Sequence, residues 1–400
     1  RHTRCLSDWS SDVCSSDLAR EPNDPGTDII HTGPIWSFKT TGLAPEAMTI
    51  SPAGGQAVPP NFDAVFTASG VNIETWTWYK QGDPNPLSDG ANYDIADNVL
   101  IILNADVYDE GYYYCVGSNS AAPGETAQTD LSRLLLQRMV GHWKLDENLT
   151  DSVDDEIIGA VAHDGVSIDP NYVLVGKNGG ALELFGDVDG LVRISDSNDF
   201  FNFYPRGYTV SAWISMPADT SGWGAYVAKQ GQDPSRGFIL TTNGTEAIHT
   251  LRQSFNDLYS GVEVNDNVWH LVTGTYDGVT KEGKIYVDGI LASETTNSGT
   301  PQPSEAPLIF GAEFLDGSSA YEGLLDDVRI WSYPLDAVTI ATLYTDFNPG
   351  VSVCVVHPEY DVAGPDGIGD EFRDCIVNVY DFVPFAQSWL DCNLVPNCLP

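Results

Sequence analysis

Val268-Trp-His-Leu-Val-Thr-Gly-Thr-Tyr-Asp-Gly278, followed by Gly283-Lys-Ile-Tyr-Val-Asp-Gly289, decides the fold. Apolar and polar residues alternate through both runs, which is the period of a strand half-buried in a sheet. Each run closes on Asp-Gly, a dipeptide suited to the positive φ of a tight hairpin turn. Working outward, the pattern recurs in Val140-Gly-His-Trp-Lys-Leu-Asp-Glu147, in Ala181–Ile194, in Tyr208–Ile214 and in Tyr321–Trp331. Short strands of this kind bury their apolar sides by facing another sheet. Trp213, Trp269, Tyr276, Tyr286 and Trp331 are therefore expected to anchor a core between two sheets.

Composition agrees. The chain has 400 residues, 42% hydrophobic and 11% aromatic, with 57 Asp plus Glu against 18 Lys plus Arg. That length exceeds one ordinary domain, and the apolar content is globular, so the acidity does not signify disorder. Abundant Asp, with 38 Gly and 24 Pro, favours turns and short strands over helices. An all-β chain of several β-sandwich domains is expected. A formal net charge of −39 repels phosphate backbones and anionic lipid, which argues against nucleic-acid and membrane-surface partners and favours divalent cations. The longest apolar run, around Val99 to Leu103, is strand-sized, so no membrane insertion is expected.

Five segments follow. Residues 1–18, RHTRCLSDWSSDVCSSDL, resemble the translation of an indexed sequencing adapter, with Cys5 and Leu6 in the index. The natural reading frame is then expected to begin at or after Ala19 and to be truncated upstream, its signal peptide missing. Residues 19–43 contain Gly33-Pro-Ile-Trp-Ser-Phe-Lys-Thr40, which resembles the last strand of a fibronectin or cadherin-like domain. Residues 44–137 carry Phe66, Trp76-Thr-Trp-Tyr-Lys80 and Asp109-Glu-Gly-Tyr-Tyr-Tyr-Cys115, whose spacing resembles an immunoglobulin-like domain. In that resemblance Trp78, Tyr113 and Cys115 fill three family positions and Phe66 replaces the first Cys. Cys115 is thus expected to be a buried free thiol, with Phe66 packed on Trp78. Residues 138–348 hold the six strand motifs, whose order resembles a laminin-G-like, concanavalin A-like jelly roll. Its short closing helix would lie in Ser332–Leu343, with Asp336 near the N-cap.

The last segment, residues 349–400, concentrates Cys354, Cys375, Cys392 and Cys398. Their spacing lacks the paired ligands of a zinc site, so two disulfides are expected, in any of three pairings. Disulfides imply an extracellular or cell-surface location. Asp370, Asp374, Asn378 and Asp381 fall at the oxygen-ligand positions of a calcium loop, and Phe382, Phe385, Ala386, Trp389 and Leu390 follow at helical spacing. The arrangement resembles half of a dockerin-like repeat. It departs where Phe372 and Cys375 replace an oxygen ligand and a glycine; a disulfide-stapled acidic cap is the alternative.

No catalytic residues are assigned. A glycosidase of concanavalin-like fold needs two carboxylates on one strand face, and Glu183 with Asp187 and Asp189 straddles a glycine turn. Nucleophile elbow, HExxH helix and phosphate loop are all missing. The chemistry that remains is that of an acidic lectin-like rim. Calcium takes six to eight oxygens, for which Asp146, Glu147, Asp187, Asp189, Asp326 and Asp327 are the candidates. Any one of them has the simpler role of a solvated group, and Asp187 that of a turn former. Trp223, between Gly222 and Gly224, is the candidate ligand contact, by stacking on a sugar face. The expected function is non-catalytic binding of glycans or extracellular proteins. The alternatives are an accessory region of a polysaccharide-degrading enzyme and an envelope spacer.

Overall fold

The structure, a computed structural model, describes residues 44–153, 163–167, 169–196, 200–203, 206–232, 235–297, 299, 301–355, 363–364, 367–368, 375 and 379–390. The chain divides into two units. Its first nine strands are β1 (Glu46–Ser51), β2 (Gly55–Val58), β3 (Ala64–Val71), β4 (Thr75–Lys80), β5 (Tyr93–Ala96), β6 (Val99–Ile102), β7 (Gly111–Ser118), β8 (Thr126–Gln128) and β9 (Ser132–Leu136).

The first unit takes in residues 65–102 and 112–132, with the described residues before 54. It contains an antiparallel sheet in the order β1-β3-β6-β5, and β7 pairs with β4 and β8. Alternation along β7 buries Tyr113 and Cys115 and leaves Tyr112 and Tyr114 half-buried. Trp78 lies opposite Cys115 across the β4–β7 ladder, and Phe66, Trp78, Tyr113 and Cys115 are all buried. Phe66 stacks on Tyr113, the ring centroids 5.4 Å apart. Cys115 is a buried free thiol whose amide donates to Thr129 Oγ1 at 3.1 Å. Burial pushes that thiol up to about 11. Only the thiolate reacts at speed, so Cys115 should resist iodoacetamide at pH 8 in the folded chain and react once denatured, as read by peptide mapping. Labelling in the folded state would contradict this packing.

The second unit comprises residues 54–64, 103–111 and the described residues from 133 onward. Its next strands are β10 (Met139–Trp143), β11 (Gly165–Val166), β12 (Asn171–Asn178), β13 (Gly180–Phe185), β14 (Val192–Ile194), β15 (Gly207–Ser215), β16 (Gly224–Gln232) and β17 (Ser235–Thr242). They are followed by β18 (Glu246–Leu251), β19 (Phe255–Glu263), β20 (Trp269–Asp277), β21 (Glu282–Val287), β22 (Ile290–Thr296), β23 (Leu308–Phe310), β24 (Glu322–Trp331) and helix α1 (Ala337–Thr345). An eight-stranded sheet runs β12-β13-β24-β15-β20-β21-β22 with β10 beside β24, and a seven-stranded sheet runs β11-β14-β23-β16-β17-β18-β19. The fold is a jelly roll, all-β apart from short helices.

Between the sheets lies one continuous core, which includes Trp143, Leu182, Val192, Tyr208, Tyr226, Phe238, Tyr276, Phe310 and Ile330. Tyr276 is where the alternation put it. Trp331 and Tyr286 instead pack with Leu335 and Ile340, and Trp213 stacks on Tyr344 at 5.6 Å. These three rings sit on the other side of their strands, away from the inter-sheet core, under α1 and the turn after it. Trp269 is half-buried. The periodicity marked the rings as buried; what covers the outer side is a helix, not the second sheet. Asp336 caps α1 as expected, its carboxylate accepting the Thr339 N–H at 2.7 Å.

Farther on are β25 (Ala363–Gly364), β26 (Gly367–Ile368) and α2 (Val379–Leu390), with Cys354 and Cys375 joined in a disulfide. Cys392 and Cys398 lie outside the described residues.

Candidate functional site

The first candidate centre is built where β12 turns into β13. Gly179 has φ 90°, and a Cβ there would fall 2.2 Å from Asp146 Oδ1, so only glycine lets that carboxylate close on the hairpin. Asp146 Oδ1 accepts the Gly180 N–H at 2.5 Å. From β24, Asp326 Oδ2 accepts the N–H groups of Lys177 and Asn178, both at 2.8 Å. Asp326 is fully buried, and its Oδ1 has no hydrogen-bond partner. Burial drives its carboxyl up to about 7; the charges of Asp327 and Asp146 push the same way and the two amides oppose.

Asp327 is engaged elsewhere, 2.5 Å from His142 Nε2 and 2.6 Å from the Arg329 guanidinium. Glu147 is exposed beside this centre. Asp187 and Asp189 are not brought to it: they lie exposed beyond the opposite end of β13, where Asp187 Oδ1 accepts the Asp189 N–H at 3.0 Å in a turn. Among the described residues no group of three or more His, Cys, Asp or Glu side chains is arranged to hold a metal ion. Asp370, Asp374 and Asn378 lie outside the described residues. Asp381 is buried in the first turn of α2 and Phe382 is exposed.

The second candidate is the outer side of the seven-stranded sheet. Strand registers align Val166, Arg193, Ile309, Ala228, Ile239 and Thr250 in one row across six strands. Thr250 Oγ1 then donates to Asp257 of β19 at 2.8 Å. The middle of the row is not open, since Ile309, Ala228, Ile239 and Thr250 are all buried. Glu313 bonds to Gln230 and, at 3.0 Å, to Ser319, while Arg252 Nε donates to Gln230 at 2.8 Å. The segment from Glu313 to Ser319 is thereby tied against β16.

The third is the rim at the entry to β16. Trp223 is 47% exposed, and the preceding Gly222 has φ 91°. The Asn243–Gly244 turn abuts this loop so closely that a Cβ on Gly244 would lie 2.6 Å from the Gly222 nitrogen. Glu246 Oε2 accepts the Gly261 N–H at 2.7 Å, and the Asn265 amide reaches the Ala218 carbonyl at 3.5 Å. The β15–β16, β17–β18 and β19–β20 loops thus meet at one end of the sandwich, where the sequence offered only Trp223.

Residues 186–341 match the family described as Laminin_G_3, of the concanavalin A-like lectin/glucanases superfamily. No curated protein matches the chain in sequence. Similar solved structures include the binding domain of Paraclostridial Mosquitocidal Protein 1, 15% identical over 56% of this chain and 54% of that one, with a TM-score of 0.43. The binding domain of botulinum neurotoxin serotype G is 15% identical over 53% and 52%, with a TM-score of 0.42. Domain 4 of AbnA, a GH43 extracellular arabinanase from Geobacillus stearothermophilus in complex with arabinotriose, is 18% identical over 52% of this chain and 98% of that one, with a TM-score of 0.39. The chain spans about half the length of the first two. Among the described residues no helix is long and apolar enough to cross a membrane.

Proposed function

We propose that the protein is an extracellular or cell-surface modular binding protein whose jelly roll holds carbohydrate without catalysis. An immunoglobulin-like first unit and a dockerin-like tail belong to the same reading. The observation that carries it is Trp223, a large ring left half in solvent on a glycine-flanked loop of a lectin-type fold. An indole face stacks on the C–H face of a pyranose, and the surrounding loops supply hydrogen bonds.

Calcium is part of this proposal. The buried, unpartnered Oδ1 of Asp326 and the neighbouring Asp146 carboxylate are hard oxygen donors, and backbone carbonyls would complete the shell. The ion would fix the β12–β13 hairpin and neutralise a carboxylate that burial disfavours. The test screens the full chain for binding to soluble polysaccharides in 1–5 mM calcium (roughly the concentration that extracellular sites require) and again in chelator. Saturable binding and a Tm that both fall in chelator are expected, with the Tm difference abolished in Asp326→Asn. Absence of binding in either condition would overturn the carbohydrate reading. A Tm indifferent to calcium would remove the ion.

A further inference from the structure

We infer that His270 is a proton-operated latch at the rim: with both ring nitrogens protonated it holds the β19–β20 loop to the β21–β22 turn, and loss of one proton lets the loop go. The surroundings of the ring carry this. Nδ1 lies 2.8 Å from Asp288 Oδ2, and Nε2 lies 3.1 Å from Asp266 Oδ1. A neutral imidazole has one N–H and one lone pair, whereas the imidazolium donates from both nitrogens. A carboxylate oxygen in reach of each nitrogen therefore suits the charged ring. In the neutral ring one nitrogen would turn a lone pair on a carboxylate.

His270 stands second in β20, opposite Ile214 of β15, which carries no charge. Asp266 comes from the loop before β20, and Asp288 from the turn after β21. Backbone amides hold both carboxylates in place: the Val268 N–H donates to Asp266 Oδ1 at 2.8 Å and the Leu271 N–H to Asp288 Oδ1 at 3.0 Å. Farther out, the charge of Asp288 acts on the Lys177 ammonium at the end of β12 and on the Tyr344 hydroxyl of α1. Burial by itself lowers the imidazole, but Asp288 and then Asp266 outweigh it, so the ring keeps its second proton to a higher pH than an ordinary imidazole does. The effect is mutual: against its own burial, Asp266 is held below the usual carboxylate range by the Val268 amide and by His270.

The two arms are unequal. Asp288 is the nearer, and its side chain is 26% exposed against 43% for Asp266, so water competes less for it. On losing a proton the ring keeps Nδ1–H on Asp288 and turns a bare Nε2 toward Asp266, which is the arm that parts. What loosens is then the β19–β20 loop. Its Asn267 N–H donates to the Met216 carbonyl at 3.0 Å and its Asn265 amide reaches the Ala218 carbonyl, both in the β15–β16 loop that leads to Trp223. Acid thus tightens the junction beside Trp223, and rising pH slackens it. The inference does not depend on what that rim binds.

The experiment uses the full chain from about pH 6 to 8.5, where ordinary carboxylates no longer titrate. Ring resonances of isotopically labelled histidine are followed by NMR, the His270 signal being the one missing from His270→Gln. It should titrate above the ordinary value of about 6.5 in wild type and move down in Asp266→Asn, which keeps an oxygen for the Val268 amide but not the charge. Hydrogen exchange, corrected for intrinsic rates, is read at the same pH values. Protection of the Asn267 and Val268 amides should fall about tenfold as pH rises through the His270 titration, the worth of one hydrogen bond to a charged group. The Leu271 amide, held by Asp288, should keep its protection. In Asp266→Asn the fall should vanish. A wild-type ring that titrates at or below about 6.5 would overturn the latch. So would a fall in protection that persists in Asp266→Asn, or an Asn267 amide equally protected on both sides of the titration.

Discussion

Lys229→Ala is expected to lower the unfolding free energy by about 3–5 kcal/mol, the cost of leaving one member of a buried ion pair alone. The Lys229 ammonium is wholly buried. It lies 2.6 Å from Asp196 Oδ2 and donates to the carbonyls of Ser304 and Ala306, both at 2.7 Å. The two carbonyls receive hydrogen bonds from the ammonium, and the carboxylate supplies the opposite charge. Asp196 Oδ1 in turn accepts the Phe201 N–H at 3.0 Å, so the pair ties β16 to the chain at Asp196–Phe201 and at Ser304–Ala306. Removing the lysine strands a carboxylate in a dry site, frees two carbonyls and leaves a cavity. The double variant Lys229→Met with Asp196→Leu should be more stable than Lys229→Ala, because it removes both charges and refills the volume. Urea denaturation of the two variants and wild type decides this. If the double variant were as unstable as the single one, the stranded charge would not be the cause.

That pair shows where sequence reading stops. Lys229 lies in Ala-Tyr-Val-Ala-Lys-Gln, where alternation alone cannot say that a lysine turns inward, and its oxygens come from segments 33 to 77 residues away. The strands themselves were legible. Val268–Gly278 and Gly283–Gly289 became β20 and β21, and the Asp288–Gly289 turn has the positive φ values, 54° and 81°, that the dipeptide implied. Local chemistry specified these elements. The acidic candidates were legible only as residue types. Asp326 and Asp187 look alike in sequence, yet one is a buried clamp on a hairpin and the other an exposed turn former. What separates them is the strand pairing that brings β24 beside β13, which no local pattern records.

His249 makes the second large effect one of pH. In the folded jelly roll its ring is fully buried, Nδ1 donating to the Lys284 carbonyl at 3.0 Å and Nε2 accepting the Tyr208 hydroxyl at 2.9 Å. The carbonyl can only accept, which assigns the neutral tautomer. Room for the ring is made by Gly274 of β20, where a Cβ would fall 2.8 Å from two ring carbons. Burial lowers the imidazole to about 4 from its ordinary 6.5, with the Lys284 carbonyl opposing. A depressed folded-state value means that the unfolded chain takes up the proton first. Stability is then independent of this group above about pH 6.5, falls as pH drops toward 4, and has lost about 3 kcal/mol below that. By pH 5 the loss is about 2 kcal/mol, before most carboxylates begin to titrate. His270 acts with the opposite sign and in another window: burial lowers it, but Asp288 at 2.8 Å and Asp266 at 3.1 Å together raise it, so its contribution is fully present below about pH 6.5 and is lost as pH rises through its raised value. The two are separated by measuring unfolding free energy against pH in wild type and in His249→Gln. The variant is expected to be less stable at pH 7.5 and to lack the decline between pH 6.5 and 5. A decline of equal slope in both proteins would mean that His249 takes up its proton without unfolding, and that the Tyr208 and Lys284 contacts do not hold it neutral.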